Sequence, residues 1–244
     1  MARPTAAMLV IGDEILSGRT RDANMHHLAG RLAAAGIDLV EVRVVPDEAD
    51  AIVAALTALR DGADHVFTSG GIGPTHDDIT ADAVAAAFGV GIDVRDDARA
   101  ILEERYRRTG FEMNEARLRM ARIPDGATLI ANPVSGAPGF TIGNVHVMAG
   151  VPQIFEAMLD GVLATLTGGP ALSTARLTVE KGEGDIAGPL RSAQEAAPGV
   201  KIGSYPRHVD GRYSVEIVVR GADADEVGRV ADDLARTFGV ERTA

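Results

Sequence analysis

The chain contains no cysteine, which excludes thiol nucleophiles, zinc–thiolate sites, iron–sulfur clusters and disulfides. Lysine is almost as scarce. Lys181 and Lys201 are the only two, so no lysine stands in the first two-thirds of the chain to grip a phosphate. No stretch approaches the roughly 18 consecutive apolar residues that a membrane span requires. The N-terminal residues Met1 to Met8 carry no basic stretch followed by a long apolar run, so no signal peptide is expected. The default expectation is a cytoplasmic protein with no membrane partner. Positive charge is in deficit, at 24 basic against 35 acidic residues and a net charge of −11. The acidity is spread along the chain and no basic patch stands out, so nucleic acid is not an expected partner. What remains, 46% hydrophobic and 24% charged residues over 244 positions, is the composition of a globular protein able to bury a core without staples. Length alone suggests one large domain, or one domain with a small appendage.

The first half alternates strand-like and helix-like segments. Ala6 to Ile11 is a short continuous apolar run, as in a strand buried on both faces of a parallel sheet. A helix is predicted from about Asp22 to Ala35, a strand from Leu39 to Val45, and a helix from about Ala49 to Arg60. His65 to Thr68 reads as a third strand, and Thr80 to Phe88 as the next helix. Parallel strands need crossover helices, so this order predicts an open α/β sheet with ligands outside the carboxyl ends of its strands. Gly12-Asp13-Glu14, Pro46-Asp47-Glu48 and the segment Ser69 to Asp78 each follow a strand and are predicted to converge on one rim. Arg95 to Met120 is charged and helical in pattern. Short strands are predicted at Thr128 to Ile130 and Val145 to Met148, with a loop from Asn132 to Gly139 between them. Pro152 suits the first turn of a further helix. Gly168-Gly169-Pro170 marks the domain boundary, dividing residues 1–168 from 171–244. The second part reads as a small α+β domain in the order strand (Ala175 to Val179), helix (Asp185 to Ala196), strand (Val200 to Ser204), strand (Tyr213 to Val219) and helix (Ala224 to Phe238).

The segment Ser69-Gly70-Gly71-Ile72-Gly73-Pro74-Thr75-His76-Asp77-Asp78 carries the densest chemistry. Glycines after a strand let successive backbone amides approach an anion. The segment is neither a lysine-bearing P-loop nor the dinucleotide fingerprint, and a tight turn leading to a helix is the plain alternative. Asp77-Asp78 adds adjacent carboxylates that call for a neutralising cation or proton, although Asp78 could equally serve the next helix's N-terminus. Asp13-Glu14 and Asp47-Glu48 are further carboxylate pairs on the same predicted rim. Together with the glycine loop they suggest a divalent-metal and pyrophosphate site, with oxygen ligands suited to Mg²⁺ or Mn²⁺. Of the six histidines, only His76 lies in the loop, where it is a candidate phosphate contact or proton donor. His65 and His146 read as structural. The basic stretch Arg105, Arg107, Arg108, Arg117 and Arg119 reads as a solvated helix face.

At these residues the sequence resembles the molybdopterin-binding (MoaB/Mog-like) fold, and more closely the N-terminal part of the CinA competence/damage-inducible family. The match is carried by Gly12-Asp13-Glu14-Ile15-Leu16-Ser17-Gly18, Asn24, Val45-Pro46-Asp47, Thr68 through Thr80, Asn132-Pro133 through Ala137-Pro138-Gly139, and Gly150-Val151-Pro152. The resemblance implies a three-layer α/β/α domain with a mostly parallel sheet, followed by the small α+β domain. It also implies a site for a nucleotide or pterin phosphate. In CinA-like proteins this domain is associated with metal-dependent cleavage of ADP-ribose to AMP and ribose 5-phosphate; in Mog-like relatives it adenylylates molybdopterin. The catalytic aspartates of the latter fall on Asp47 and Asp78. The expected phosphate- or nucleotide-binding residues are Gly12, Asp13, Glu14, Ser69, Gly70, Gly71, Gly73, Pro74, Thr75, Asp77, Asn132, Gly136, Ala137, Pro138, Gly139, Gly150 and Pro152. Asp78, Asp47 and Asp13 are the expected ligands of a divalent metal (Mg²⁺, Mn²⁺ or Co²⁺). The leading expectation is thus a metal-dependent pyrophosphate hydrolase. The alternatives are a molybdopterin adenylyltransferase and a non-catalytic nucleotide or pterin sensor. A homo-oligomer is expected from the resemblance. Full-length CinA proteins carry a further nicotinamide-mononucleotide deamidase domain, for which this sequence ends too early, so no deamidase activity is expected.

Overall fold

The computed structural model describes residues 3–209 and 212–243. Met1, Ala2, Asp210, Gly211 and Ala244, which fall within the ranges assigned above to the two domains, lie outside the described residues. The chain divides into two compact units, one ending at Gly169 and the other beginning at Pro170.

In the first unit the elements run β1 (Thr5–Ile11), α1 (Asp13–Leu16), α2 (Asn24–Ala34), β2 (Asp38–Val45), α3 (Ala49–Gly62), β3 (His65–Ser69), α4 (Thr80–Phe88), β4 (Ile92–Val94) and α5 (Asp96–Thr109). They continue with α6 (Glu115–Arg119), β5 (Arg122–Pro124), β6 (Thr128–Ile130), β7 (Gly139–Ile142), β8 (Val145–Met148) and α7 (Pro152–Leu163). The main sheet has the order β2-β1-β3-β8-β7-β6. Its first four strands are parallel, and β7 and β6 are each antiparallel to their neighbour. The continuous apolar run of β1 is explained by burial on both faces. Ala7, Leu9 and Ile11 pack with Ile52, Leu56, Leu59, Val84 and Leu102 of α3, α4 and α5. Ala6, Met8 and Val10 pack instead with Leu28, Leu32, Phe155, Met158 and Leu159 of α2 and α7. This is a three-layer α/β/α arrangement with a mostly parallel central sheet. The chain runs from β1 outward to β2 and then crosses back past β1 to β3, so the strand order reverses between β1 and β3; the crevice at such a reversal is where open sheets bind ligands.

The structure departs from the sequence reading at several elements. The charged stretch Arg95 to Met120 is two helices rather than one. Gly110 ends α5, and α6 begins at Glu115, after an N-cap Asn114 whose side chain accepts the N–H of Arg117. Gly139, assigned to the loop, begins β7. The short strands β4 and β5 pair only with each other, and strands of three residues carry no readable periodicity. Among the described residues no helix is long and apolar enough to cross a membrane.

The second unit comprises β9 (Ser173–Val179), α8 (Glu183–Ala196), β10 (Val200–Val209), β11 (Arg212–Gly221), α9 (Ala224–Phe238) and β12 (Arg242–Thr243). Its antiparallel sheet has the order β10-β11-β9-β12. Alternation along β9 and β11 puts Ala175, Leu177 and Val179 with Val215, Ile217 and Val219 against Ile186 and the buried face of α9. The sequence reading missed β12, which is two residues long, and shortened β10 and β11.

His146 is structural, as expected. It is 4% exposed, its Nδ1 lies 3.0 Å from the Thr141 hydroxyl, and its Nε2 is buried without a partner. Burial, with the neighbouring His65 adding to it, lowers its pKa to about 4. The folded state therefore resists protonation that the unfolded chain accepts at the ordinary histidine pKa. This contribution to stability is complete above that value and is lost as pH falls toward 4. Between pH 7 and pH 4, the unfolding free energy of His146→Leu should shift by about 3 kcal/mol in the variant's favour relative to wild type. Denaturant titration at the two pH values measures it, and a pH-independent difference would contradict the assignment.

Candidate functional site

A cleft of about 610 Å³ opens at the carboxyl ends of the parallel strands. Gly12 after β1, Asp47 after β2, Gly70 to Pro74 after β3, and Ala149 to Pro152 after β8 all line it. The convergence anticipated from strand order is therefore present.

Gly70 and Gly71 leave β3 with φ of 109° and 68°. A Cβ on Gly70 would lie 2.2 Å from the Ile11 carbonyl oxygen, and one on Gly71 would lie 2.1 Å from Thr80 Oγ1. Only glycine fits both the conformation and the space. Thr80, fully buried at the start of α4, fastens the loop: its N–H donates to the Gly71 carbonyl at 3.0 Å and its hydroxyl to the Gly70 carbonyl at 3.1 Å. The N–H groups of Gly71, Ile72 and Gly73 find no acceptor among the described residues. Three successive unclaimed amides at a cleft wall are the donor set of an anion nest.

Asp78 is held from two sides. The Thr75 N–H and hydroxyl both donate to its Oδ2, at 2.8 and 2.6 Å. From behind, the Arg119 guanidinium donates to the Asp78 carbonyl oxygen at 3.2 and 3.4 Å. Across the cleft, the Asp13 N–H donates to Asp47 Oδ2 at 2.9 Å. Burial is the largest influence on Asp47 and raises its pKa. Repulsion from Asp13, Glu14 and Asp77 raises it further, and the Asp13 amide bond acts in the opposite sense.

The remaining expected residues divide by what they touch. Gly12, Glu14, Gly70, Gly71, Gly73, Pro74, Asp77, Ala137, Gly150 and Pro152 line the cleft with Asp47 and Asp78. Asn132 also borders it, but its amide is spent on its own loop. Its Nδ2 donates to Ser135 Oγ and the Ala137 carbonyl, and its Oδ1 accepts from the Val134 and Ser135 amides. Thr75 serves Asp78 rather than the nest. Asp13 contributes its amide to Asp47 and its side chain does not line the cleft. Ser69 is buried, where its hydroxyl accepts from Asn24 Nδ2 at 2.7 Å. Gly136 packs by Arg105, Pro138 lines a smaller hollow behind Asp78, and Gly139 lies in β7. His76, considered as a proton donor, has a side chain 99% exposed and is not part of the cleft wall.

The basic stretch is not the uniformly solvated face expected of it. Arg119 grips Asp78, Arg105 donates to the Val134 carbonyl, and Arg117 lies over the Tyr106 and Phe111 rings. Sequence reasoning also missed Thr20, Tyr106, Met120 and Ile154, which form much of the apolar and hydroxyl wall. Tyr106 carried no signal because its segment reads as charged surface. Asn24 was visible only through the resemblance. It is buried and ties Ser69 to the Gly150 carbonyl, joining the ends of β3 and β8.

Among the described residues no three acidic or histidine side chains gather closely enough to hold a metal ion by themselves. Asp13, Asp47 and Asp78 are thus not a preformed three-carboxylate cage. Yet no arginine or lysine pairs with the carboxylates of Glu14, Asp47 or Asp78 among these residues, since Arg119 and Arg122 turn to Asp82. This donor set fits a hard cation of the Mg²⁺ type that keeps waters and takes further oxygens from a phosphate, and it does not fit an all-protein site.

Residues 7–168 match the family described as "Probable molybdopterin binding domain", and residues 171–243 match "FAD synthase, middle domain". A protein of Pyrobaculum calidifontis is 36% identical over 216 residues, covering 85% of this chain and 82% of its own. A CinA-like protein of Citrifermentans bemidjiense is 41% identical over 179 residues, or 71% of this chain but only 43% of that longer protein. The crystal structure of a CinA protein of unknown function from Thermoplasma acidophilum aligns with a TM-score of 0.60 at 34% identity, covering 65% of this chain and 95% of the other.

Because the folded pKa of Asp47 is raised, its ionisation works against folding: stability is full below the ordinary aspartate pKa and falls as pH rises through the raised value. Asp47→Asn keeps an acceptor for the Asp13 amide and removes the charge. Its melting temperature at pH 7.5 should exceed wild type by roughly 2 °C, with the gap closing near pH 3. A lower melting temperature at pH 7.5 would contradict the electrostatic reading.

Proposed function

Since the chain belongs to the family of probable molybdopterin-binding domains, we propose that its cleft binds a nucleotide or pterin phosphate and hydrolyses the pyrophosphate bond of a nucleoside diphosphate, ADP-ribose first among them. The observation that carries this reading is the pairing of an anion nest with uncompensated carboxylates. Gly71, Ile72 and Gly73 offer three unclaimed amides, and Glu14, Asp47 and Asp78 border the same cleft. Amides alone would suit a bound phosphate, whereas carboxylates beside it suit a phosphate that arrives with a cation and leaves by hydrolysis. Asp47 and Asp78 would hold that divalent cation, which when bound neutralises charge on the phosphoryl oxygens.

The chain's own residues supply the rest. The nest positions one phosphate, and the apolar wall of Ile72, Tyr106, Met120 and Ile154 gives a planar base or pterin a surface to lie on. Glu14 or Asp77 accepts a proton from the attacking water. The water oxygen bonds to one phosphorus, the bond from that phosphorus to the bridging oxygen breaks, and the bridging oxygen leaves on the other phosphate. With ADP-ribose the products are AMP and ribose 5-phosphate. Thr75 and Arg119 keep Asp78 in place throughout.

Chromatographic product analysis with ADP-ribose, FAD and NAD, with Mg²⁺, Mn²⁺ or Co²⁺ and with chelator, tests the proposal. AMP should appear in a chelator-sensitive way, and Asp78→Asn should lower kcat about 100-fold or more while retaining the fold. No AMP from any of the three, with the nucleotides still raising the melting temperature, would replace hydrolysis by binding alone. ATP consumption seen only when molybdopterin is supplied would replace it by adenylyl transfer.

A further inference from the structure

The edge strand β2 carries a pattern that the cleft does not use. It ends the main sheet beyond β1, with no strand on its other side. Its valines Val40, Val42 and Val44 are 57%, 37% and 40% exposed, an apolar row where edge strands are usually guarded by charge, proline or a covering element. Between them lie Glu41 and Arg43, joined by an ion pair of 2.7 Å. The run Val40-Glu41-Val42-Arg43-Val44 therefore reads the same in chemical type from both ends, except that acid and base exchange places about Val42.

That exchange is what a two-fold axis requires. In an antiparallel pairing of two β2 strands centred on Val42, each Val42 faces the other. Glu41 of each copy then faces Arg43 of its mate, and Val40, at the register irregularity of β2, flanks Val44 at the end of the pairing. Opposite charges and β-branched pairs directly across strands are the stabilising cross-strand combinations. The backbone agrees. The Val45 carbonyl accepts the Gly12 N–H on the β1 side at 3.2 Å, and the β1 register is regular from Glu41 to Val45. Alternate residues Val42 and Val44 thus turn their own N–H and C=O groups outward. Val42 is then placed to exchange both hydrogen bonds with its counterpart, as the central pair of an antiparallel ladder. The register shift between Ala6 and Ala7 skips Val40, so the regular stretch begins at Glu41 and the central pairs, Val42 with Val42 and Glu41 with Arg43, are undisturbed.

We propose that β2 is the interface of an isologous dimer, in which a second copy of this chain adds its own β2 antiparallel and joins the two sheets into one. The inference stands apart from the proposed activity, since the clefts lie at strand ends and stay open.

Light scattering with size-exclusion chromatography, on the whole chain at micromolar concentration, tests it by charge exchange. Wild type should elute at twice the chain mass. Glu41→Arg places arginine opposite Arg43 and should weaken association at least about 10-fold, and Glu41→Arg/Arg43→Glu should restore it. Val42→Lys, which sets two lysines at the axis, should give monomer with an unchanged circular dichroism spectrum; it serves the same purpose if Glu41→Arg fails to fold. The absence of native cysteine allows a second readout. A Cα separation of about 5.5 Å expected for the central pair is within disulfide range, so mild oxidation should cross-link Val42→Cys chains in preference to Val44→Cys chains. A monomeric wild type, an assembly indifferent to Glu41→Arg and Val42→Lys, or preferential cross-linking through Val44→Cys would overturn the proposal.

Discussion

The cleft depends on one buried threonine. Thr80 spends its amide and its hydroxyl on the carbonyls of Gly71 and Gly70, fastening the loop after β3 to the start of α4. With those carbonyls occupied, the amides of residues 71–73 remain as unclaimed donors. Asn24 does the complementary work beneath, tying Ser69 to Gly150 so that the ends of β3 and β8 hold together. In a chain whose only lysines lie after the first unit, backbone donors are the natural means of holding phosphate, and their direction is set by these two buried polar side chains.

Electrostatics gives the site its second character. The carboxylate of Asp47 is crowded by Asp13, Glu14 and Asp77, while Arg119 and Arg122 behind Asp78 are turned to the Asp78 carbonyl and to Asp82. Repulsion of this kind opposes folding, and it is relieved when a cation or a bound ligand brings compensating charge. In the proposed function such a site is costly while empty and satisfied when loaded, the usual exchange of stability for function. Behind it, Thr75 and Arg119 hold Asp78 rigidly, so that the acidic wall keeps its shape although it repels itself.

Much of this was legible in the sequence, for identifiable reasons. The β1 run, buried on both faces, and the helix–strand alternation predict a parallel sheet. The sheet in turn predicts that Gly12, Asp47 and the glycine loop share one rim. What escaped was set by tertiary contact rather than by local pattern. Tyr106 lies in a stretch that reads as charged surface, and the arginines around it turn out to brace the loops of the cleft. Thr75 and Asn132 have the right chemistry for ligand contact, but their hydrogen bonds go to Asp78 and to the Asn132 loop. Strand β2 was expected from its pattern, although its place at the sheet edge appears only when the strand order is known.

In the proposed function the amides of Gly71, Ile72 and Gly73 receive a phosphate. This is tested most directly by titrating ¹⁵N-labelled protein with AMP and recording amide chemical shifts. These three resonances should move furthest, downfield in the proton dimension, and phosphate-free adenosine should move them far less. Saturable shifts confined to residues outside this loop, or equal shifts with adenosine, would contradict it.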